Sequence, residues 1–228
     1  MSKVAIIQSN YIPWKGYFDI INYVDAFIFL DDVQYTNRDW RNRNKIKGKH
    51  GENWLSIPVG SSTKRLINEV EVLDNSWPDI HANLIEEYYR TAPFYSDYSF
   101  LVNELYKNAT ITNLSKYNQY VIRFISDVLG IKTSFYNSSQ FNAIGAKDEK
   151  LINLLTAVDA TEYVSGPAGK NYIDSNKFSE KNIKLSFFDY SGYREYKQLS
   201  EPFNHYVSIL DLFFCTGDKA SDYMLTFT

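Results

Sequence analysis

A single cysteine, Cys215, stands among 228 residues, so no intramolecular disulfide can form and a thiolate metal site is disfavoured. No stretch approaches the roughly 20 consecutive apolar residues of a membrane helix. The apolar run Val4–Ile7 is too short for the core of a secretory signal. A cytoplasmic location without membrane insertion is therefore expected. The acceptor patterns Asn108-Ala109-Thr110 and Asn113-Leu114-Ser115 are accordingly not expected to carry glycans. Excess positive charge is missing too. The formal net charge is −3, which excludes a wide nucleic-acid surface because phosphate neutralisation needs a basic face, although a local basic patch stays open. Glycine and proline are sparse, and neither the phosphate loop nor the dinucleotide fingerprint occurs.

Aromatic residues are what the chain has in quantity, 17% of it, with 19 tyrosines. Tyrosine offers a flat apolar face and a polar tip, which suits sugar or nucleotide recognition and equally suits packing between helix and sheet. The length suffices for a core that needs no staples, and one domain spanning 1–228 is expected.

The organising stretch is the first. Val4–Ile7 is apolar, a polar loop with Pro13 and Gly16 follows, and apolar spacing resumes at Phe18, Ile20, Ile21 and Val24. This pattern predicts a buried strand, a tight loop and a helix. Phe27–Leu30 is a second buried strand, and two apolar strands joined through a helix form a right-handed parallel unit. Thr133–Phe135, Tyr163–Val164 and Lys184–Phe188 read as further strands alternating with helices, the last of these helices at Tyr206–Phe214. The alternation predicts an α/β fold, a parallel sheet with helices on both faces. Helical spacing without strands over residues 76–130 predicts a helical insertion or lid.

Ligands of open α/β sheets bind beyond the carboxyl ends of the strands. Gln8, Asn10, Tyr11, Trp14 and Lys15 fall there and are expected to bind substrate. Asp31 and Asp32 follow the second strand on the same edge, where paired acids could bind a cation, orient an amine or serve as a base, and equally make a cap or loop salt bridge. The segment from Gln34 to Lys47 gathers Trp40, Arg43, Asn44 and Lys45 with poor periodicity, and is expected to be an irregular loop. Its arginines match phosphate or carboxylate, and Trp40 matches a base or sugar face. Ser165, Gly166, Lys170 and Tyr172 lie in a glycine-bearing loop after a strand, where backbone approaches a ligand closely. His81, on a predicted helix, is the next candidate for acid–base work after Asp32 and Asp31. His205, Ser208 and Asp211 share one predicted helical face and do not make a triad, which needs groups converging from different elements.

The motifs Gln8-Ser9-Asn10-Tyr11-Ile12-Pro13-Trp14-Lys15-Gly16-Tyr17-Phe18, Leu30-Asp31-Asp32-Val33-Gln34-Tyr35 and Trp40-Arg41-Asn42-Arg43-Asn44-Lys45 resemble the WbqC-like family. The resemblance continues through Tyr163–Tyr172 and Ser208–Leu212, and so covers nearly the whole chain. The family commonly has proline where Ser9 stands, a change in loop stiffness more than in chemistry. The family's association with surface-polysaccharide (O-antigen) gene clusters implies a place in that biosynthesis. The first motif is also distantly similar to the nucleotidylyltransferase-like, Rossmann-like α/β fold, whose His-x-Gly-His is here Trp14-Lys15-Gly16-Tyr17. Both histidines are missing, so the resemblance implies architecture and nucleotide-sized binding rather than adenylyl transfer.

Two functions are open at this point. The first is a transferase placing an acyl or aminoacyl group on the amine of a nucleotide-linked sugar. Asp32 or Asp31 would serve as base, Gln8, Asn10 or the glycine loop as oxyanion donors, and Arg43, Lys45 and Lys170 as diphosphate clamp. Its partners would be that sugar and an activated acyl or aminoacyl donor, with tRNA entering only as donor. The second is a non-catalytic nucleotide-sugar-binding or scaffold protein of the same pathway. No metal ligands are assigned, the use of a metal stays open, and the motifs specify no cofactor.

Overall fold

The structure is a computed structural model that describes residues 2–107 and 109–227. Its centre is a five-stranded parallel sheet built from β1 (Lys3–Ile7), β2 (Ala26–Phe29), β5 (Ser134–Asn137), β6 (Glu162–Ser165) and β7 (Lys184–Phe187), in the order β5-β2-β1-β6-β7. In register, Val4 to Ile7 of β1 face Ala26 to Phe29 of β2, while Lys3 and Val4 face Glu162 and Tyr163 of β6. Side chains alternate across the pleat, and the burial follows suit. Val4, Ile6 and Ile28 pack with Leu151, Leu154, Leu155 and Phe178, from α5 (Asp148–Ala157) and α6 (Ser175–Ser179), on one face. Ala5, Phe27 and Phe29 join a larger cluster on the other face with α1 (Lys15–Tyr23) and α4 (Leu114–Val128). There Phe29 stacks on Phe135 at 5.6 Å between ring centres. The fold is therefore α/β and Rossmann-like, with helices on both faces of a parallel sheet.

Between β2 and β5 the chain leaves the sheet. α2 (Trp77–Tyr89), α3 (Tyr95–Lys107) and α4 contribute Ile85, Leu101, Leu105, Val121 and Ile125 to the larger cluster. α4 opens on Asn113, whose side chain accepts from Lys116 N at 3.1 Å, a capping bond that satisfies a first-turn donor.

One expectation is corrected here. The basic segment is not irregular to its end: β3 (Arg43–Gly48) pairs antiparallel with β4 (Gly51–Ser56), away from the main sheet. Strand alternation is concealed because Asn44, a buried position of β3, is polar, and because Lys47 is buried among neighbours that accept from it. The hairpin lies against α2 so closely that a Cβ at Gly48 would come within 2.4 Å of the Tyr88 carbonyl oxygen. The last helix, α7 (Ile209–Thr216), also starts later than expected. Ser208 caps it, leaving Tyr206 in a bend before the helix, exposed.

Candidate functional site

Strand order reverses between β1 and β6. The chain steps outward from β1 to β2 and β5, then returns to β6 and β7 on the other side. Open α/β sheets bind ligands at such a switch point. A crevice of about 660 Å³ occupies it here. The β1 loop supplies Gln8, Asn10 and Trp14, and the β6 loop supplies Ser165, Gly166 and Tyr172. Lys147, Asp148 and Lys150, at the start of α5, form the wall between them, and Tyr190 follows β7. The β6 loop continues as a 3-10 turn over Pro167–Asn171, packed so closely that a Cβ at Gly169 would lie 2.4 Å from Ser165 Oγ. Two residues beside this region hold left-handed backbone, Lys147 at φ +50° and Ile12 at φ +33°. For a β-branched residue such as Ile12 that geometry is strained. Asn44 holds it by donating from Nδ2 to the carbonyls of Tyr11 and Ile12, at 3.0 and 2.7 Å.

Arg41 organises the β1 loop. One guanidinium nitrogen donates to Gln8 Oε1 at 2.9 Å and the other to Asn10 Oδ1. Asp39 pairs with the same group at 3.4 Å, and Asn118 Nδ2 holds the Arg41 carbonyl at 2.7 Å. Asn10 and Trp14 also line a second cavity of about 160 Å³, closed by Pro13, Trp40, Asn44 and Tyr206. Trp14 lies 5.1 Å from both Tyr190 and Tyr206, and Trp40 lies 5.5 Å from Trp54. A third cavity, about 500 Å³, takes Lys170 and Phe187 and shares Tyr190 with the crevice and Tyr206 with the aromatic cavity. The three cavities share wall residues along one sheet edge.

Of the residues expected at the site, Gln8, Asn10, Trp14, Ser165, Gly166 and Tyr172 line the crevice, Trp40 and Asn44 the aromatic cavity, and Lys170 the third cavity. Several others lie elsewhere. Tyr11 is fully buried, its hydroxyl bonded to His81 Nδ1 at 2.8 Å and to Tyr106 at 2.7 Å, because it points into the larger core cluster. His81 therefore lies on the buried face of α2 and is not a group on the crevice. Lys15 is buried as well: its ammonium meets the Tyr223 carbonyl at 3.1 Å and the face of Tyr193 at 4.4 Å, and burial lowers its pKa to about 8. Asp31 accepts from Ser9 N at 2.8 Å, from Ser115 Oγ and from Gln119 at 3.0 Å, which ties β2 to the β1 loop and to α4. Asp32 lines a neighbouring polar cavity of about 260 Å³ and meets Lys150 at 2.7 Å, so it reaches the crevice through that lysine. Gln34 is exposed and bonds the Thr63 carbonyl. Arg43 lies over Trp54, 4.3 Å from the ring centre, and Lys45 pairs with Glu52 at 2.7 Å on the hairpin.

Arg41, Lys147, Asp148, Lys150, Tyr190 and Tyr206 were missed. A signal for Asp148 was present, since a helix that follows a parallel strand begins on the strand's carboxyl edge. Arg41 had none, because its partners lie 31 and 33 residues away in sequence.

Burial lowers the His81 pKa to about 4, against the hydrogen bond that the ring donates to the Ser56 backbone, which raises it. The folded protein thus binds this proton more weakly than the unfolded chain, whose histidine titrates near 6.5. Stability from a neutral His81 is present above pH 6.5 and is lost as pH falls toward 4, by about 3 kcal/mol. Urea unfolding across this range, wild type against His81→Gln, is expected to show the smaller acid loss in the variant. Equal losses would count against the assignment.

A family model of the WbqC-like protein family matches residues 8–223, which takes in the β1 loop, the basic segment and the β6 loop. The chain belongs to the WbqC-like family. A relative within reach of direct comparison is the uncharacterized protein Rv1507c of Mycobacterium tuberculosis, 44% identical over 226 residues, covering 98% of each chain. No solved structure matches. Among the described residues, no helix of this WbqC-like protein is long and apolar enough to cross a membrane, and no cluster of three or more His, Cys, Asp or Glu side chains is placed to hold a metal ion.

Proposed function

We propose that this WbqC-like protein is a transferase of surface-polysaccharide biosynthesis, acting in the cytoplasm, which acylates or aminoacylates the amine of a nucleotide-linked sugar. The observation that carries this reading is the switch-point crevice, with a carboxylate on its wall and an aromatic cavity opening from it. The aromatic cavity suits a nucleobase, since a base stacks on indole and phenol faces. The sugar and the acyl donor would meet in the larger crevice, beside Asp148. That carboxylate is 7% exposed and held by Asp174 N at 3.4 Å and Lys177 at 3.3 Å.

In the transfer, the ammonium of the sugar gives a proton to Asp148, and the freed nitrogen attacks the carbonyl carbon of an activated ester or thioester. The new C–N bond forms as the bond to the alkoxide or thiolate breaks, the nitrogen gives its second proton to the leaving group, and Asp148 returns the first to solvent. Asp32 would position Lys150 through their ion pair.

A second reading is a non-catalytic binding or scaffold protein. In its favour, no histidine lines the crevice among the described residues, and Tyr17, where the second histidine of the distant motif would stand, is buried and donates to the Gln8 carbonyl at 2.9 Å. Mass spectrometry of amino-sugar nucleotides incubated with a panel of activated acyl and aminoacyl donors separates the two. A product heavier by the acyl group is expected, with thermal stabilisation by both sugar nucleotides and donors. Stabilisation by sugar nucleotides alone, with no product from any donor, would favour the scaffold.

A further inference from the structure

A carboxamide has an acceptor oxygen on one side and a two-hydrogen donor on the other, and a guanidinium only donates. Arg41 therefore fixes both amides of the β1 loop the same way round, with Gln8 Oε1 and Asn10 Oδ1 turned toward it. The nitrogens, Gln8 Nε2 and Asn10 Nδ2, face away from Arg41, and neither has a partner among the described residues. Both side chains line the crevice, and Asn10 lines the aromatic cavity as well. A pair of unpaired donors, polarised by a cation behind them, thus stands where the two cavities meet. Lys147, on the facing wall, is exposed and has no ion pair among the described residues.

We infer that Gln8 and Asn10, locked by Arg41, form the receptor for the diphosphate of the nucleotide-linked substrate, the identity of that substrate resting on the function proposed above. Donor groups backed by positive charge suit an anion that spans two cavities. The base then lies among Trp14, Trp40 and Tyr206, and the sugar lies toward Asp148. Arg41 is a positioning residue here, and the clamp expected from Arg43 and Lys45 moves to the β1 loop.

Calorimetric titration of the full chain with inorganic pyrophosphate, with uridine and thymidine diphosphates and with the matching nucleosides tests this. Gln8→Met and Asn10→Ala remove a donor without adding charge. Gln8→Glu and Asn10→Asp keep the shape and the bonds to Arg41 but turn each donor into an acceptor. All four are expected to weaken pyrophosphate and nucleoside diphosphates about tenfold or more, with nucleoside affinity unchanged. Arg41→Lys keeps the charge but cannot hold two carboxamide oxygens at once. It should lose the preference for diphosphate over nucleoside, whereas a merely structural Arg41 would weaken both ligands together. No pyrophosphate binding by wild type, or wild-type affinity in Gln8→Met and Asn10→Ala, would overturn the inference. Pyrophosphate binding that depends on these residues, in a protein that never acylates an amino-sugar nucleotide, would leave the receptor standing and remove the transferase.

Discussion

Asp148→Asn is expected to lower turnover of the acyl transfer roughly 10²–10⁴-fold, the range a positioned general base contributes. Affinity for the sugar nucleotide should stay nearly unchanged. Asparagine keeps the size of the side chain and an oxygen to accept from Asp174 N, but it cannot take the ammonium proton. Folding should tolerate the change, because the partner ammonium of Lys177 is itself half exposed and such a pair contributes little. A fall in kcat with KM held marks a group used in the transition state rather than in binding. Asp32→Asn should do less, since it acts by freeing Lys150. Steady-state kinetics on both variants, with folding checked by circular dichroism, decides the order. Near-normal turnover in a folded Asp148→Asn protein would retire it as the base and return Asp32 to first place.

The largest stability effect should come from Asp211→Ala, about 3 kcal/mol or more, at ~1–3 kcal/mol for each buried donor left unsatisfied. Asp211 is fully buried and accepts from Tyr89 at 3.0 Å, Tyr196 at 2.7 Å and Gln198 at 2.8 Å. It binds α7 to α2 and to the segment before α7. Removing it leaves three donors without an acceptor where water cannot replace it. Burial raises its pKa to about 6 against those bonds. The folded protein holds this proton more tightly than the unfolded chain, so stability from Asp211 grows as pH falls from 6 toward 3.8, opposite in sign to His81. The two titrations offset each other in wild type. In Asp211→Asn, where the first is gone, the acid loss from His81 should stand out in urea midpoints. A midpoint for Asp211→Ala within about 1 kcal/mol of wild type would show that its donors find other partners.

How far the sequence could be read depended on where each residue's partners lie. The five sheet strands were legible because each is a short run rich in apolar or β-favouring residues bounded by polar ones, most plainly in the central β1, β2 and β6, where burial on both faces needs that pattern. Gln8, Asn10 and Trp14 were legible as positions past a strand end. Tyr11 and Lys15 were not, since what distinguishes them from their neighbours is direction. Tyr11 turns inward to His81 and Tyr106, and Lys15 to carbonyls near residues 194 and 223. The hairpin's first strand, β3, escaped notice because its buried Asn44 holds a strained turn in another loop, a duty that no periodicity registers.

Asp19, on the buried side of α1, accepts from Leu225 N at 2.9 Å, Thr226 N at 2.8 Å and Tyr193 Oη at 2.5 Å. The helix that begins beside Trp14 is thus fastened by backbone 206 and 207 residues further along. During synthesis, α1 and the first two strands leave the ribosome long before these anchors exist. Asp19 has none of these backbone partners until nearly all the remaining chain has been added. Closing so long a loop is slow, and a chain halted before residue 225 lacks the bonds that fix the helix behind the aromatic cavity. Ligand binding should therefore arise only in the final step of folding, and premature termination products should be unable to compete for substrate.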